Sequence, residues 1–284
     1  VKITIYLVTN KKIKNKFKNL KVKYLCCGDV NMSKKRNFAV KKSREKFIAF
    51  IDSDAYPIRR WIFNGINILN RKKNIGMVTG PDLPFKNQKG WSYYIGMASK
   101  SFLISGSKVY RKKIYKTMIC TQASSCNMIF KKEIYEKVKG MDENIYIGED
   151  KDLCDKFNNL SSILYSPKVK IYHKIREFLP FLFQRFSYGT SVIDIIKNDK
   201  KLSFNNMQYF MPLIILVFYV VFPFFLENKF LNTIFVLFLI SINALIAYES
   251  LKISFNPKIF FKIFLIIKLN ILSFGIGSLV NFLS

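Results

Sequence analysis

Five apolar residues, Phe47, Ile48, Ala49, Phe50 and Ile51, run without a break into Asp52, Ser53 and Asp54, and Pro57 follows closely. A short apolar run closed by turn residues reads as a strand buried on both faces, as in a parallel α/β sheet. Ligands of such sheets sit beyond the carboxyl ends of the strands, where Asp52 and Asp54 emerge. Two carboxylates at i and i+2 around a small serine can approach a hard divalent cation, which keeps its waters and binds phosphates. The same residues also suit a polar turn, because Asp is at home there. Both readings stand on this stretch alone.

The flanking sequence supplies partners for that strand. Residues 1–8 form a strand-like run that is already under way at Val1, as in a chain that was processed or that begins partway into its domain. Residues 11–23 are a basic, Asn-rich connection, and residues 22–25 suit a short edge strand ending at Cys26, Cys27, Gly28 and Asp29. A helix is expected from Ser33 as cap. Pro57 suits the first turn of another helix. Ile58, Trp61, Ile62, Ile66 and Leu69 follow at helical spacing with one buried face. Residues 75–79 read as a strand, 125–130 as another, and 169–173 as a last one that ends on His173, the only histidine. From Glu149 a helix begins with acids in its first turn, where the helix dipole favours them. Strands alternating with helices point to an α/β sheet.

The charge balance narrows the partners. Lys and Arg number 47 against 18 Asp and Glu, a formal net charge of +29 in 284 residues, which calls for an anionic partner. Half of the residues are hydrophobic and 28 are Phe, which excludes a disordered basic tail. The five cysteines fit no zinc spacing and read as reduced thiols of a cytosolic domain.

The C-terminal part changes character. Residues 207–226 contain no acidic or basic side chain before Glu227, and residues 230–248 are similar. Each approaches the roughly 20 apolar residues that cross a bilayer. Residues 259–283 carry Lys262, Lys268 and Asn270, and either span or lie at the interface with the lysines snorkelling. Lys197, Lys200, Lys201, Lys252 and Lys258 flank one side of the first two stretches, which by the positive-inside rule places the large domain in the cytoplasm. Anionic lipid then becomes the natural partner of the charge. A nucleic-acid binder would leave the apolar hairpin without a role, so nucleic acid is not expected.

Taken in order, Lys35, Arg36 and Asn37, the Asp52-Ser53-Asp54 turn, Asn127 to Lys131, Gly148-Glu149-Asp150, His173 and Gln184-Arg185 with Tyr188-Gly189 resemble the inverting, family-two glycosyltransferases of the GT-A fold, in particular membrane-attached members. The likeness runs from about residue 1 to 191. It implies a GT-A, Rossmann-like α/β domain over 1–175 with a mostly parallel sheet flanked by helices. An interfacial helix and linker would follow over 176–204, then a membrane region over 205–284 with two or three transmembrane helices. It also implies a metal, Mg2+ or Mn2+, on Asp54 and His173. Asp52, Arg36, Asn37 and Arg185 would face a nucleotide-sugar donor of the UDP or GDP type. Asp150 would be the catalytic base, and Glu149, Gln184 and Tyr188 would shape the site or meet the acceptor. Glu149 also suits a helix-dipole partner, His173 a satisfied core residue, and Arg185 a snorkelling interfacial side chain. The acceptor implied is lipid-linked or a growing surface glycan. A processive polysaccharide synthase subunit and a non-catalytic membrane scaffold share parts of the pattern. Against the family pattern, the first strand and helix with their base-gripping loop are missing ahead of Val1, as in an N-terminally truncated member. Its second strand ends in Asp where this chain has Thr9-Asn10, and its Gly-Gly-Phe-Asp turn reads Lys139-Gly140-Met141-Asp142 here.

Overall fold

The computed structural model describes residues 2–12, 21–192, 210–221, 224, 227 and 229–283. In chain order its elements are β1 (Ile5–Thr9), β2 (Val22–Cys26), α1 (Met32–Lys42), β3 (Phe47–Phe50), β4 (Ala55–Pro57), α2 (Trp61–Arg71), β5 (Ile75–Thr79), β6 (Asp82–Pro84), α3 (Gly90–Ala98) and α4 (Phe102–Ser105). Then come β7 (Met118–Cys120), β8 (Met128–Lys131), α5 (Lys132–Lys137), α6 (Glu149–Asn158), β9 (Ser162–Tyr165), β10 (Ile171–His173), α7 (Phe178–Gly189), α8 (Met211–Val221), α9 (Lys229–Ile253) and α10 (Pro257–Leu283). The chain divides into two compact units. One comprises Val1–Asp82 and Ile114–His173, the other Leu83–Lys113 and Lys174–Ser284. The division is not the linear one expected, because residues 83–113 leave the first unit in the middle of its sequence.

The first unit is built on a five-stranded sheet of order β3-β8-β5-β9-β7. The expected mostly parallel sheet is corrected to a mixed one. β8 runs antiparallel to both β3 and β5, β9 is parallel to β5, and β7 is antiparallel to β9. The reason lies in the connections: β8 enters after the long excursion through residues 83–113 rather than by a helical crossover from a neighbouring strand. β5 is the strand buried throughout. β3 instead lies at the edge of this sheet, so only Phe50 of its residues is fully buried, against the expectation of burial on both faces. β1 and β2 pair parallel in a separate two-stranded sheet.

Local chemistry explains the element boundaries. Asn31, two residues before Ser33, caps α1 by accepting from the amide of Lys34 at 2.9 Å. Pro57 closes β4 rather than opening a helix. α2 starts at Trp61 and buries Trp61, Gly65 and Leu69 on one face. The strand expected over 125–130 begins at Met128, after a single 3-10 turn. Trp61, Leu69, Ile75, Val78, Ile129, Leu164, Val169 and Ile171 form the core between α2 and the sheet. None of the five cysteines is disulfide-bonded.

Apart from the end of β6, the regular elements of the second unit are helices among its described residues. α9 has 25 residues and α10 has 27, and both are long and apolar enough to cross a membrane. The stretch 259–283 is thus one continuous helix. The described part of 207–226 is the 11-residue α8, and the rest of that stretch, like 193–204 of the expected linker, lies outside the described residues apart from Phe210 and Phe224. Ile95, Ala98 and Ile104 from the excursion share a core with Phe181, Ile215, Ile242, Ile246, Ile263, Ile266, Ile267 and Ile271. Lys268 is answered inside this unit, donating to Asn243 Oδ1 at 3.4 Å and lying 5.6 Å from the ring centre of Tyr219.

Candidate active site

After β3 the chain turns back. The amide of Ala55 donates to the carbonyl of Asp52 at 3.1 Å, which holds Asp52, Ser53 and Asp54 in one bend. β4 then pairs antiparallel with β10, in a register that sets His173 opposite Ala55. This register brings the only histidine to the aspartates: His173 Nε2 lies 3.2 Å from Asp54 Oδ1. One ligand atom from each of Asp52, Asp54 and His173 falls within 4.8 Å of the others. Two carboxylates and an imidazole suit a hard to borderline divalent cation. The Asp52, Asp54 and His173 side chains are 33%, 50% and 27% exposed, open enough for an ion that keeps part of its water.

Arg36 ties this turn to the start of α6. Its Nη2 donates to Asp52 Oδ1 at 3.2 Å and its Nη1 to Glu149 Oε1 at 3.4 Å. Its guanidinium also lies 5.8 Å from the ring centre of Phe50. Burial pushes the Asp52 carboxyl above its ordinary value. Arg36 and His173 pull it down, while Asp150 and Asp54 add to the rise. Burial likewise raises Glu149, helped by the charge of Asp150 and opposed by Arg36.

Gly148 precedes α6 at φ 96°, a left-handed conformation that glycine adopts without steric cost. The turn delivers Glu149 and Asp150 into the first turn of the helix, whose positive end favours them. Asp150 Oδ2 accepts from the backbone amide of Ser125 at 3.0 Å and from Ser124 Oγ at 3.5 Å. Asp150 Oδ1 is buried and has no hydrogen-bond partner among the described residues. A carboxylate with one oxygen fixed and the other left over can take a proton from a hydroxyl placed against it.

Asn37 is occupied differently from the donor-facing role expected of it. Its Oδ1 accepts from Tyr135 Oη at 2.6 Å and from the amide of Met141 at 3.1 Å. Its Nδ2 donates to the carbonyl of Met141 and to Glu143 Oε1, both at 2.9 Å. Asn31 adds a bond from Nδ2 to the carbonyl of Glu143 at 2.6 Å. The polar residues of α1 therefore fasten the loop that leads into α6 and Asp150.

The structure gathers Arg36, Asp52, Asp54, Glu149, Asp150 and His173 in the first unit. Gln184, Arg185 and Tyr188 lie on α7 in the second unit, where Gln184 Nε2 donates to Tyr188 Oη at 3.0 Å. Arg185 sits 5.1 Å and 5.4 Å from the ring centres of Phe181 and Tyr188. Sequence reasoning missed Asn31, Ser124 and Ser125. Asn31 was legible as a capping residue, and the serines stand just ahead of the Asn127–Lys131 run, but nothing local tied them to Asp150.

Residues 9–139 match the family model described as glycosyl transferase family 2. No curated protein matches the chain. Among solved structures, the chain is similar to the mannosyltransferase PcManGT from Pyrobaculum calidifontis in complex with GDP-Man and Mn2+. The TM-score is 0.61 at 12% identity, over 97% of this chain and 77% of that one. S. aureus TarS 1-349 in complex with UDP is also found, at a TM-score of 0.42 and 13% identity, over 73% of this chain and 60% of that one. The first of these likenesses carries the fold, and the matched segment contains the Asp52-Ser53-Asp54 turn. Residues 9–139 are thus similar to glycosyl transferase family 2, and the chain as a whole has a GT-A-like α/β fold.

Proposed function

We propose that this chain transfers a hexosyl group from a nucleotide-sugar donor, of the UDP or GDP type, to a lipid-linked or surface-glycan acceptor with inversion at the anomeric carbon. The observation that carries the reading is the convergence of Asp52, Asp54 and His173 on one small volume, their ligand atoms within 4.8 Å of one another. Asp54 and His173 would hold Mg2+ or Mn2+, with Asp52 on the nucleotide side. A cation bound there would act as a Lewis acid, neutralising charge on the diphosphate leaving group. Asp150 is the base, its Oδ2 held by Ser124 and Ser125 and its Oδ1 left to accept the acceptor's proton. Arg36 orients the Asp52 and Glu149 carboxylates and faces the donor. Gln184, Arg185 and Tyr188 would serve acceptor or diphosphate from α7. The two long apolar helices and the basic residues around them support a membrane-attached chain with its catalytic domain on the cytoplasmic side.

Calorimetry of a nucleoside diphosphate with Mn2+ tests the site directly. Asp54→Ala is expected to lose metal-dependent binding. Asp150→Asn is expected to keep that binding while transfer falls by a factor of about 10²–10⁴, the usual worth of a general base. Unchanged affinity in Asp54→Ala would overturn the metal assignment. Binding without turnover in the unaltered chain would favour the non-catalytic scaffold.

A further inference from the structure

Residues 83–113 fall inside the family match at 9–139, yet they belong to the helical unit. From Gly90 to Ser99 they carry no charged residue, and they place Trp91, Tyr93 and Tyr94 in the first turns of α3. Lys262 of α10 extends its ammonium to 4.2 Å from the ring centre of Tyr94 and 6.0 Å from that of Trp91. Trp91 in turn packs on Phe178, the first residue of α7, at 4.6 Å between ring centres. At the other end of the segment, Ser101 Oγ and the amide of Phe102 donate to Glu249 Oε2 at 2.8 Å and 3.0 Å. The same Glu249 accepts from Lys252 at 2.9 Å.

Both anchors lie at one level of the α9–α10 hairpin. Lys229 to Glu249 on α9, and Lys262 to Leu283 on α10, each span roughly 30 Å at 1.5 Å per residue. That is the thickness of a bilayer's hydrocarbon core, about 30 Å. The Trp91, Tyr94 and Lys262 cluster and the Glu249 and Lys252 pair therefore mark the same edge of the apolar span. Trp and Tyr favour this edge because they have an apolar body and a polar tip, and Lys reaches it by extending its stem. On α3 and α4, Tyr93 and Phe102 are 43% and 54% exposed, and on α7 Leu179 and Phe183 are 63% and 69% exposed.

We propose that residues 90–105 form an in-plane membrane element. α3 and α4 lie in the headgroup layer of an anionic bilayer, with Trp91 and Tyr94 at the hydrocarbon boundary and Tyr93 and Phe102 against lipid. The inference rests on the membrane reading above and adds to it a contact encoded inside the catalytic sequence rather than after it. A segment of the family-matched region thus touches the lipid surface on which a lipid-linked acceptor would be presented.

The test uses the full chain in vesicles of phosphatidylcholine and phosphatidylglycerol whose acyl chains are brominated either near the headgroup or near the chain terminus. The chain has two tryptophans, and Trp61 is buried in the first unit, so the emission lost in Trp91→Phe isolates Trp91. That component is expected to be quenched strongly by shallow bromines, weakly by deep ones and little by aqueous iodide. Quenching by iodide alone in chains that still float with the vesicles would overturn the in-plane element and leave membrane attachment standing. Stronger quenching by deep bromines would also overturn it, by placing α3 within the hydrocarbon. Failure to float at all would overturn the membrane reading itself.

Discussion

Asn37 uses all four hydrogen-bonding positions of its amide on Tyr135, Met141 and Glu143. Its measurable effect therefore belongs to stability first. Asn37→Ala leaves a buried amide and a phenol without their partner and is expected to cost about 1–3 kcal/mol. The shift of the urea midpoint reads this, while affinity for a nucleoside diphosphate changes little. Glu149 offers a test by pH. Burial raises its carboxyl above the ordinary 4.5, so its proton is held more tightly in the fold than in the unfolded chain. The stabilisation that follows is complete below 4.5 and is lost as pH rises through the folded value. Glu149→Gln keeps an acceptor for Arg36 and cannot ionise. The variant is expected to gain stability relative to the parent between 4.5 and neutrality and to show no such gain below 4.5, as read from urea midpoints at the two pH values. The aspartates were legible at this scale because a turn after an apolar run exposes its carboxylates locally. The partners of Asn37 were not, since Tyr135 and Met141 lie about a hundred residues away.

At the scale of elements, most helices and strands follow from local pattern. The face of α2, the acidic start of α6 and the apolar length of α9 can all be read from spacing and composition. Strand direction could not. A run such as residues 47–50 has the same composition whether its neighbour is parallel or antiparallel, and β8 decides the matter from eighty residues on. Helix packing in the second unit was equally hidden. Gly277 of α10 meets the backbone carbonyl of Phe186 and the Cα of Gly189 on α7 so closely that a Cβ there would collide with main chain rather than with a side chain that could swing away. Gly277→Val is expected to force α7 off α10 at a cost of about 1–3 kcal/mol or more, typical of overpacking. Thermal unfolding in detergent measures it, and an unchanged midpoint would show that the crossing is not tight.

At the scale of the whole molecule, the chain is two compact units whose sequences interleave, because residues 83–113 join the C-terminal helices. Composition foresaw an α/β part and an apolar, basic C-terminal part, since burial of apolar surface and the length of a bilayer-crossing helix are properties of the sequence itself. It did not foresee that a stretch within the family-matched sequence would take its core from α10. Nor did local reading decide between a polar turn and a metal cluster at Asp52 and Asp54. Identity, order and local turn chemistry were determined by the sequence alone: which acids, in which turns, ahead of which apolar spans. The tertiary structure decided who meets whom. His173 reaches Asp54 through the β4–β10 register, Asp150 is fixed by Ser124 and Ser125, and Asn37 is committed to its loop. These encounters depend on contacts across 25 to 120 residues, and a chain's local preferences carry no information about pairings at that range until the sheet has closed.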